Sequence, residues 1–272
     1  MGTLVPITEP SDPRLGDYSA LTDAALRKRY ERERGVLIAE GPNPVHELIA
    51  SPYPVRSLLL TDERVATSRH LVDAVDVPVY VVERDLLYEV VRFRLHQGVL
   101  GCGGRLPPTP LESLLHVARR LVVLEGLNDH ENLGTLFRSA RALGMDAVVL
   151  GPGCADPLYR RSVRVSMGHV LHVPHGRVGD LSAGLDRVAE AGFTIVGLTP
   201  DPVAPPLDEL DLADVDRVAV LLGAEGPGLS ETALRGARVT ARIPMHGGVD
   251  SLNVAAAGAI AFHRVGPGVR RG

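Results

Sequence analysis

The chain has 272 residues, enough for one large domain or two ordinary ones, and its 45% hydrophobic content is ample for a real core. Aromatics make up 4% with no Trp, so packing rests on Val, Leu, Ala and Ile, which suits buried parallel strands better than an aromatic-rich sandwich. A formal net charge of −4 excludes a bulk basic nucleic-acid binder, no apolar run reaches the ~20 residues of a membrane span, and the two distant cysteines make neither a disulfide framework nor a metal knuckle.

The polar N-terminus lacks the charged-then-apolar order of a secretory signal, and the chain reads as cytoplasmic. Residues 20–34 predict a charged helix, dense in guanidinium groups from Arg27 to Arg34; Lys28 is the only lysine. Arg160, Arg161 and Arg164 form a second cluster. Arginine pairs bidentately with phosphate, although neighbouring Glu residues equally suit a plain solvated face. Short apolar runs at 36–39, 55–60 and 77–82 predict strands, and 44–50 suits a helix, so a small α/β layer is expected. Glycines and then three prolines across 101–110 predict an interdomain linker. The domains expected are therefore 1–105 and 118–272, joined by 106–117.

The second part alternates strands at 120–124, 146–150, 170–173, 193–198, 218–222 and 239–243 with helices at 132–143, 158–165, 181–191 and 253–263. Apolar strands alternating with amphipathic helices predict a parallel sheet covered on both faces. The acidic, proline-rich stretch 200–216 is expected as a surface loop. Three segments have compositions odd for packing alone. One is Asn128-Asp129-His130-Glu131-Asn132 with Arg138 further on, directly after a strand, where open α/β sheets bind ligands. Another is Gly223-Ala224-Glu225-Gly226-Pro227-Gly228, which lacks the spacing of a P-loop or a dinucleotide fingerprint. The third is Ile243-Pro244-Met245 through Ser251-Leu252-Asn253 into a helix of small residues, which permit very close packing. Each has a plainer alternative: Asn128 or Asp129, Ser230, and Ser251 or Asn253 would serve as helix caps.

Taken together, in order across 120–263, the three segments resemble the signature motifs of the SpoU (TrmH-like) branch of the SPOUT RNA methyltransferases. Ile38-Ala39-Glu40-Gly41 and Leu95-His96-Gln97-Gly98-Val99-Leu100 are similar to parts of the small RNA-binding domain that precedes the catalytic one in many members. The resemblance implies an α/β fold: a knotted (trefoil) parallel-sheet methyltransferase domain, with the chain after Gly223 threaded through a loop, behind a small α/β RNA-binding domain. It implies S-adenosylmethionine held largely by main chain around Thr199, Leu222, Gly223, Gly226, Ile243, Met245 and Leu252. It implies transfer of a methyl group to a ribose 2′-hydroxyl of structured RNA, ribosomal RNA ahead of transfer RNA, by a homodimer. Arg138 would be the central catalytic group, reaching across the dimer interface, with Asn132, Glu225, Ser251 and Asn253 in support. A guanidinium keeps its proton (pKa above ~12), so orienting the hydroxyl and phosphate fits Arg138 better than acting as base. Glu225 would either hold Arg138 or organise its loop.

Two positions depart from the pattern: Ala224 stands where Ser is common, and His169 where Ala usually follows Ser-x-Gly, which would alter an RNA-facing surface. His169, His172 and His175 tempt a metal reading, but a spacing of three along a strand puts successive side chains on opposite faces, and no metal is expected. Two other functions compete: a catalytically inactive RNA-docking module on the same scaffold, and a Rossmann-type enzyme, which lacks its glycine fingerprint here.

Overall fold

The computed structural model describes residues 1–19, 21–22, 24–212 and 215–267. In chain order come β1 (Thr3–Pro6), α1 (Ala24–Glu33), β2 (Val36–Glu40), α2 (Pro42–Ala50), β3 (Val55–Thr61), α3 (Asp62–Val65), α4 (Arg69–Asp73), β4 (Pro78–Val82), α5 (Arg84–Val91) and β5 (Val99–Gly104). Then follow α6 (Leu111–Val117), β6 (Arg120–Leu124), α7 (His130–Ala142), β7 (Ala147–Leu150), α8 (Arg160–Val165) and β8 (His175–Arg177). The chain closes with α9 (Leu181–Glu190), β9 (Thr194–Leu198), β10 (Val218–Leu222), α10 (Glu231–Gly236), β11 (Val239–Ala241) and α11 (Val254–Val265). Two compact units result: Met1–Pro107 with Pro157–His172, and Pro108–Asp156 with Val173–Gly272. The helix expected over 20–34 is α1; Ala20, Asp23 and the side chains of Arg27 and Lys28 lie outside the described residues.

The first unit is built on a mixed sheet in the order β1-β4-β3-β5-β2. β1, β4 and β3 run parallel, and β5 is antiparallel to both of its neighbours. This corrects the expectation for 101–104: Gly101, Cys102, Gly103 and Gly104 continue a fully buried inner strand rather than starting a linker. The cause is close packing of a helix on the sheet. A Cβ on Gly103 would meet Leu48 Cδ1 at 2.8 Å, and one on Gly101 would meet Leu48 and Val45 at 3.2 Å. Glycine gives up strand propensity here so that α2 can press on the backbone. The other face of the sheet carries a core that includes Tyr18, Ile38, Leu59, Leu87, Val91 and Leu100. Fully buried Tyr18 donates its hydroxyl to the Ser57 carbonyl at 2.9 Å, and burial pushes the phenol well above its ordinary pKa.

Residues 157–172 complete this unit. Helix α8 places Arg160 and Arg164 on Glu40 at the end of β2, with the Arg160 and Glu40 side chains only 14% and 10% exposed. The strand expected at 170–173 is instead a 3-10 turn, His169–His172, with Val170 and Leu171 buried. Positive φ at Met167 (55°) and Gly168 (86°) redirects the chain just before it, so an extended run cannot start there. Strand alternation therefore does not describe the histidines. His172 Nε2 lies 2.8 Å and His169 Nδ1 3.6 Å from the Glu47 carboxylate. His175 stands on β8 in the second unit, edge-on to Phe137. No group of three or more His, Cys, Asp or Glu able to hold a metal ion occurs among the described residues.

The second unit is a six-stranded sheet in the order β11-β9-β10-β6-β7-β8, parallel throughout. One core includes Leu121, Val123, Val149, Leu185, Ile195 and Leu221, joined by Leu114 and Leu115 of α6. That helix forms within the stretch 106–117. Asp129 caps α7 by accepting from Glu131 N and Asn132 N (3.0 and 2.8 Å), so the helix begins two residues before the expected 132. The small residues of α11 do permit close packing: a Cβ on Gly258 would meet Leu136 of α7 at 2.3 Å and Leu222 of β10 at 3.1 Å. In the loop 200–216, Leu207 is buried in a 3-10 turn, while Ala213 and Asp214 lie outside the described residues. No helix among the described residues is long and apolar enough to cross a membrane.

Candidate functional site

Neighbouring parallel strands present their C-terminal ends on one edge, and the crevice there is where such sheets bind ligands. β9 delivers Thr199 and β10 delivers Gly223 to that edge. A cleft of about 320 Å³ opens between them and the segment before α11. It is lined by Thr199, Leu222, Gly223, Gly226, Ile243, Met245 and Leu252, and by Glu225, Ser251 and Asn253.

Both walls are largely main chain. The loop after β10 curls back on itself through Gly228 N–H to Ala224 O at 3.0 Å. A Cβ on Gly223 would lie 2.3 Å from the Gly228 carbonyl carbon and oxygen and 2.5 Å from Leu229 N, so only glycine fits. Opposite, β11 stops at Ala241 rather than the expected 243, and the chain runs irregularly to Asn253. Among the described residues the main chain from Ile243 to Leu252 makes one hydrogen bond, Val249 N–H to His246 O at 3.4 Å. A row of peptide groups is thereby left for solvent or a ligand. The charged lining residues among those described are Glu225 and Asp250, with no Lys, Arg or His.

Asn253 ties the three motif segments together. Its Oδ1 caps α11 by accepting from Ala255 N and Ala256 N (2.9 and 3.4 Å). Its Nδ2 donates to Asn132 Oδ1 at 2.9 Å and to Glu225 Oε1 at 2.5 Å. Glu225 Oε1 also takes Val254 N–H at 3.4 Å. Asn253, not Ser251, is thus the helix cap, and Glu225 joins the glycine loop to the start of α11. Glu125, which the sequence did not single out, accepts Ser230 N–H at 2.9 Å and pins the far end of the glycine loop. Its position directly after β6 was the available signal. Leu198, Pro200, Asp250, Val254 and Ala257 also line the cleft unforeseen. Sheet-end logic reaches the first two beside Thr199; Asp250, Val254 and Ala257 fall inside the third motif segment, though none was singled out within it.

Arg138 is not brought to this cluster within one chain. It lies six residues after Asn132 on α7, about 240° round a helix of 3.6 residues per turn. It is exposed, lines no part of the cleft and makes no hydrogen bond or ion pair among the described residues. Cys154 is part-buried outside the cleft, where burial pushes its thiol pKa up and away from nucleophilic use.

The geometry is that of a known class. The chain superimposes with a TM-score of 0.82 on the crystal structure of an AdoMet-bound rRNA methyltransferase from Sinorhizobium meliloti, at 26% identity over 97% of this chain and 98% of that one. This is the SPOUT-class RNA methyltransferase fold, a mixed sheet in the first unit and an all-parallel sheet in the second. Among relatives in sequence, an uncharacterised tRNA/rRNA methyltransferase of Mycobacterium tuberculosis is 44% identical over 96% of this chain and 94% of its own length. A 23S rRNA guanosine 2′-O-methyltransferase of Bacillus subtilis is 28% identical over 88% of this chain and 91% of its own. The chain belongs to the SpoU rRNA methylase family, whose model matches residues 119–263.

Proposed function

We propose that this chain transfers the methyl group of S-adenosylmethionine to a ribose 2′-hydroxyl of RNA, ribosomal RNA ahead of transfer RNA, and works as a homodimer. The observation that carries the reading is the Asn253 bridge to Asn132 and Glu225, which gathers three separated segments around one cleft. The cleft suits the cofactor on its own terms. Gly223 leaves a cradle that a side chain would fill, and Leu222, Ile243 and Met245 offer apolar surface to an adenine ring. The unpaired peptide groups of 243–252 serve its polar edges, and two carboxylates complement a sulfonium. Thr199, Gly226 and Leu252 complete the set that would hold it. When bound, the cofactor supplies an electrophilic methyl group.

The protein's own task is to position and activate a weak nucleophile. Arg138, supplied by the second subunit, orients the 2′-hydroxyl and its phosphate as a permanent donor. Ser251 and Asn132 hold the hydroxyl's surroundings, and Glu225 and Asn253 keep the loop and α11 in place. The trefoil threading of the family is assigned to 223–253, between β10 and α11. Ribosomal RNA is favoured by the descriptions of the Bacillus and Sinorhizobium relatives. The first unit is assigned to RNA recognition.

Calorimetric titration with S-adenosylmethionine, beside transfer of labelled methyl to RNA, tests this. Wild type and Arg138→Ala should both bind, and only the wild type should transfer. Mixing Arg138→Ala with a cleft-dead Gly223→Val variant should restore about a quarter of wild-type activity, since half of the dimers would hold one intact composite site. Absence of any cofactor binding by the wild type would leave the inactive docking module as the better account.

A further inference from the structure

The first unit holds a cavity of its own, about 400 Å³, between the start of α2 and the segment 93–97 that leads into β5. Phe93 supplies an aromatic wall, and the Arg160 guanidinium lies 5.0 Å from its ring centre. Arg94 and Arg164 bring positive charge, against which the one lining carboxylate, Glu40, is already shared between Arg160 and Arg164. The exposed side chains of Asn43, Arg94, His96 and Gln97 line the cavity and make no hydrogen bond or ion pair among the described residues. Gln97 is nonetheless placed: a Cβ on Gly41 would fall 2.1 Å from its Oε1, so the amide lies directly over glycine backbone.

The backbone here is also unusual. Arg92 (φ 64°) and Met167 (φ 55°) are the only non-glycine residues with positive φ among the described ones. Arg92 immediately precedes the segment 93–97, and Met167 lines the cavity. Arg92 is the left-handed C-cap of α5, its N–H on Tyr88 O at 2.8 Å, and Met167 follows the end of α8, so both turn the chain out of a helix beside the cavity.

An aromatic face, side-chain amides without protein partners and three guanidiniums set against one carboxylate form the donor set that recognises an unstacked nucleotide. The ring takes the base face, the amides its edge and the guanidiniums its phosphate. A cation would find only an occupied carboxylate, and an acidic peptide would leave the amides and ring unused. We propose that this cavity takes one unpaired nucleotide of the RNA substrate, read chiefly by Asn43 and Gln97 and stacked on Phe93. The proposal rests on the reading that the substrate is RNA, and makes the first unit a reader of sequence as well as shape.

The test uses the full-length protein, labelled S-adenosylmethionine and total RNA from cells lacking its gene. Gln97→Ala and Arg94→Ala alter exposed side chains without internal bonds, so the fold is expected to hold, as circular dichroism would verify. Each should raise KM for RNA about tenfold, the size expected for loss of one base-edge or phosphate contact, with kcat and cofactor affinity held. An unchanged KM in both variants would overturn the pocket. A second arm cross-links 4-thiouridine-substituted 23S rRNA transcript to the wild type and maps the peptide: attachment within the lining segments 40–44, 93–97 or 164–167 supports the pocket, and attachment only outside them overturns it. The arms separate the two readings. RNA cross-linked at these segments without methyl transfer would sink the transfer reading and keep the pocket; transfer with both KM values unmoved would do the reverse.

Discussion

The glycines at 101, 103 and 104 in the first unit and those at 223, 226 and 228 in the other are alike in composition, yet they serve different ends. Gly101, Gly103 and Gly104 lie in a buried inner strand, whereas Gly223, Gly226 and Gly228 lie in a loop that walls a cleft. In the strand, glycine is needed because a side chain from another element occupies the space: Leu48 reaches to within 2.8 Å of where a Gly103 Cβ would be. In the loop, a Cβ on Gly223 would meet the chain's own backbone, with Gly228 at 2.3 Å, whereas Gly226 and Gly228 have open space around them but positive φ (86° and 70°). The difference teaches what each site tolerates. Leu48 is a flexible side chain that can give a little; a peptide group in a curled loop can move only by taking the cleft wall with it.

Three substitutions press on that contrast. The largest effect is expected from Gly223→Ala, which should weaken S-adenosylmethionine binding at least about 100-fold in calorimetry while the denaturation midpoint changes little. Gly103→Val should do the opposite, costing about 1–3 kcal/mol of stability by overpacking, read by urea denaturation, with cofactor affinity unchanged. Should Gly103→Val abolish cofactor binding in protein that remains folded, the division of labour between the glycine sets would be broken. The smallest structural effect belongs to Asn253→Asp. Aspartate caps a helix as well as asparagine, so stability should shift by less than about 1 kcal/mol. It removes the donor to Asn132 and Glu225, however, and sets two carboxylates together, so methyl transfer should fall about tenfold. Equal losses from Asn253→Asp and Asn253→Ala would support the bridge as the working part; a loss only with alanine would reduce Asn253 to a cap.

The second sheet was legible because its strands are buried on both faces and therefore read as continuous apolar runs: β6 and β10 are Leu and Val almost throughout. The cleft residues were legible through motif order rather than any property of single residues. The losses have physical causes. β1 is a four-residue, mostly exposed edge strand with no alternation to detect. β5 replaces the usual β-branched signal with glycine because its neighbour helix supplies the bulk. The α5 pattern was overlooked, although Leu87, Val90 and Val91 give it a buried stripe. His169 lies beside Glu47 of α2, a contact no local pattern encodes. Arg138 shows the reverse case: its motif was plain, but a single chain does not contain the surroundings its proposed role requires.

The excursion 157–172 has a consequence for biosynthesis. The Arg160–Glu40 pair closes across 120 residues of sequence, and both partners end largely out of water. A nascent chain that has emerged only to residue 107 holds all five strands of the first sheet, yet exposes the Glu40 carboxylate and the surface that α8 will cover. The first unit is therefore expected to mature late, once the ribosome has released residue 172, after β6, α7 and β7 have already emerged. A gene fragment ending at 107 would encode a sheet without its keystone.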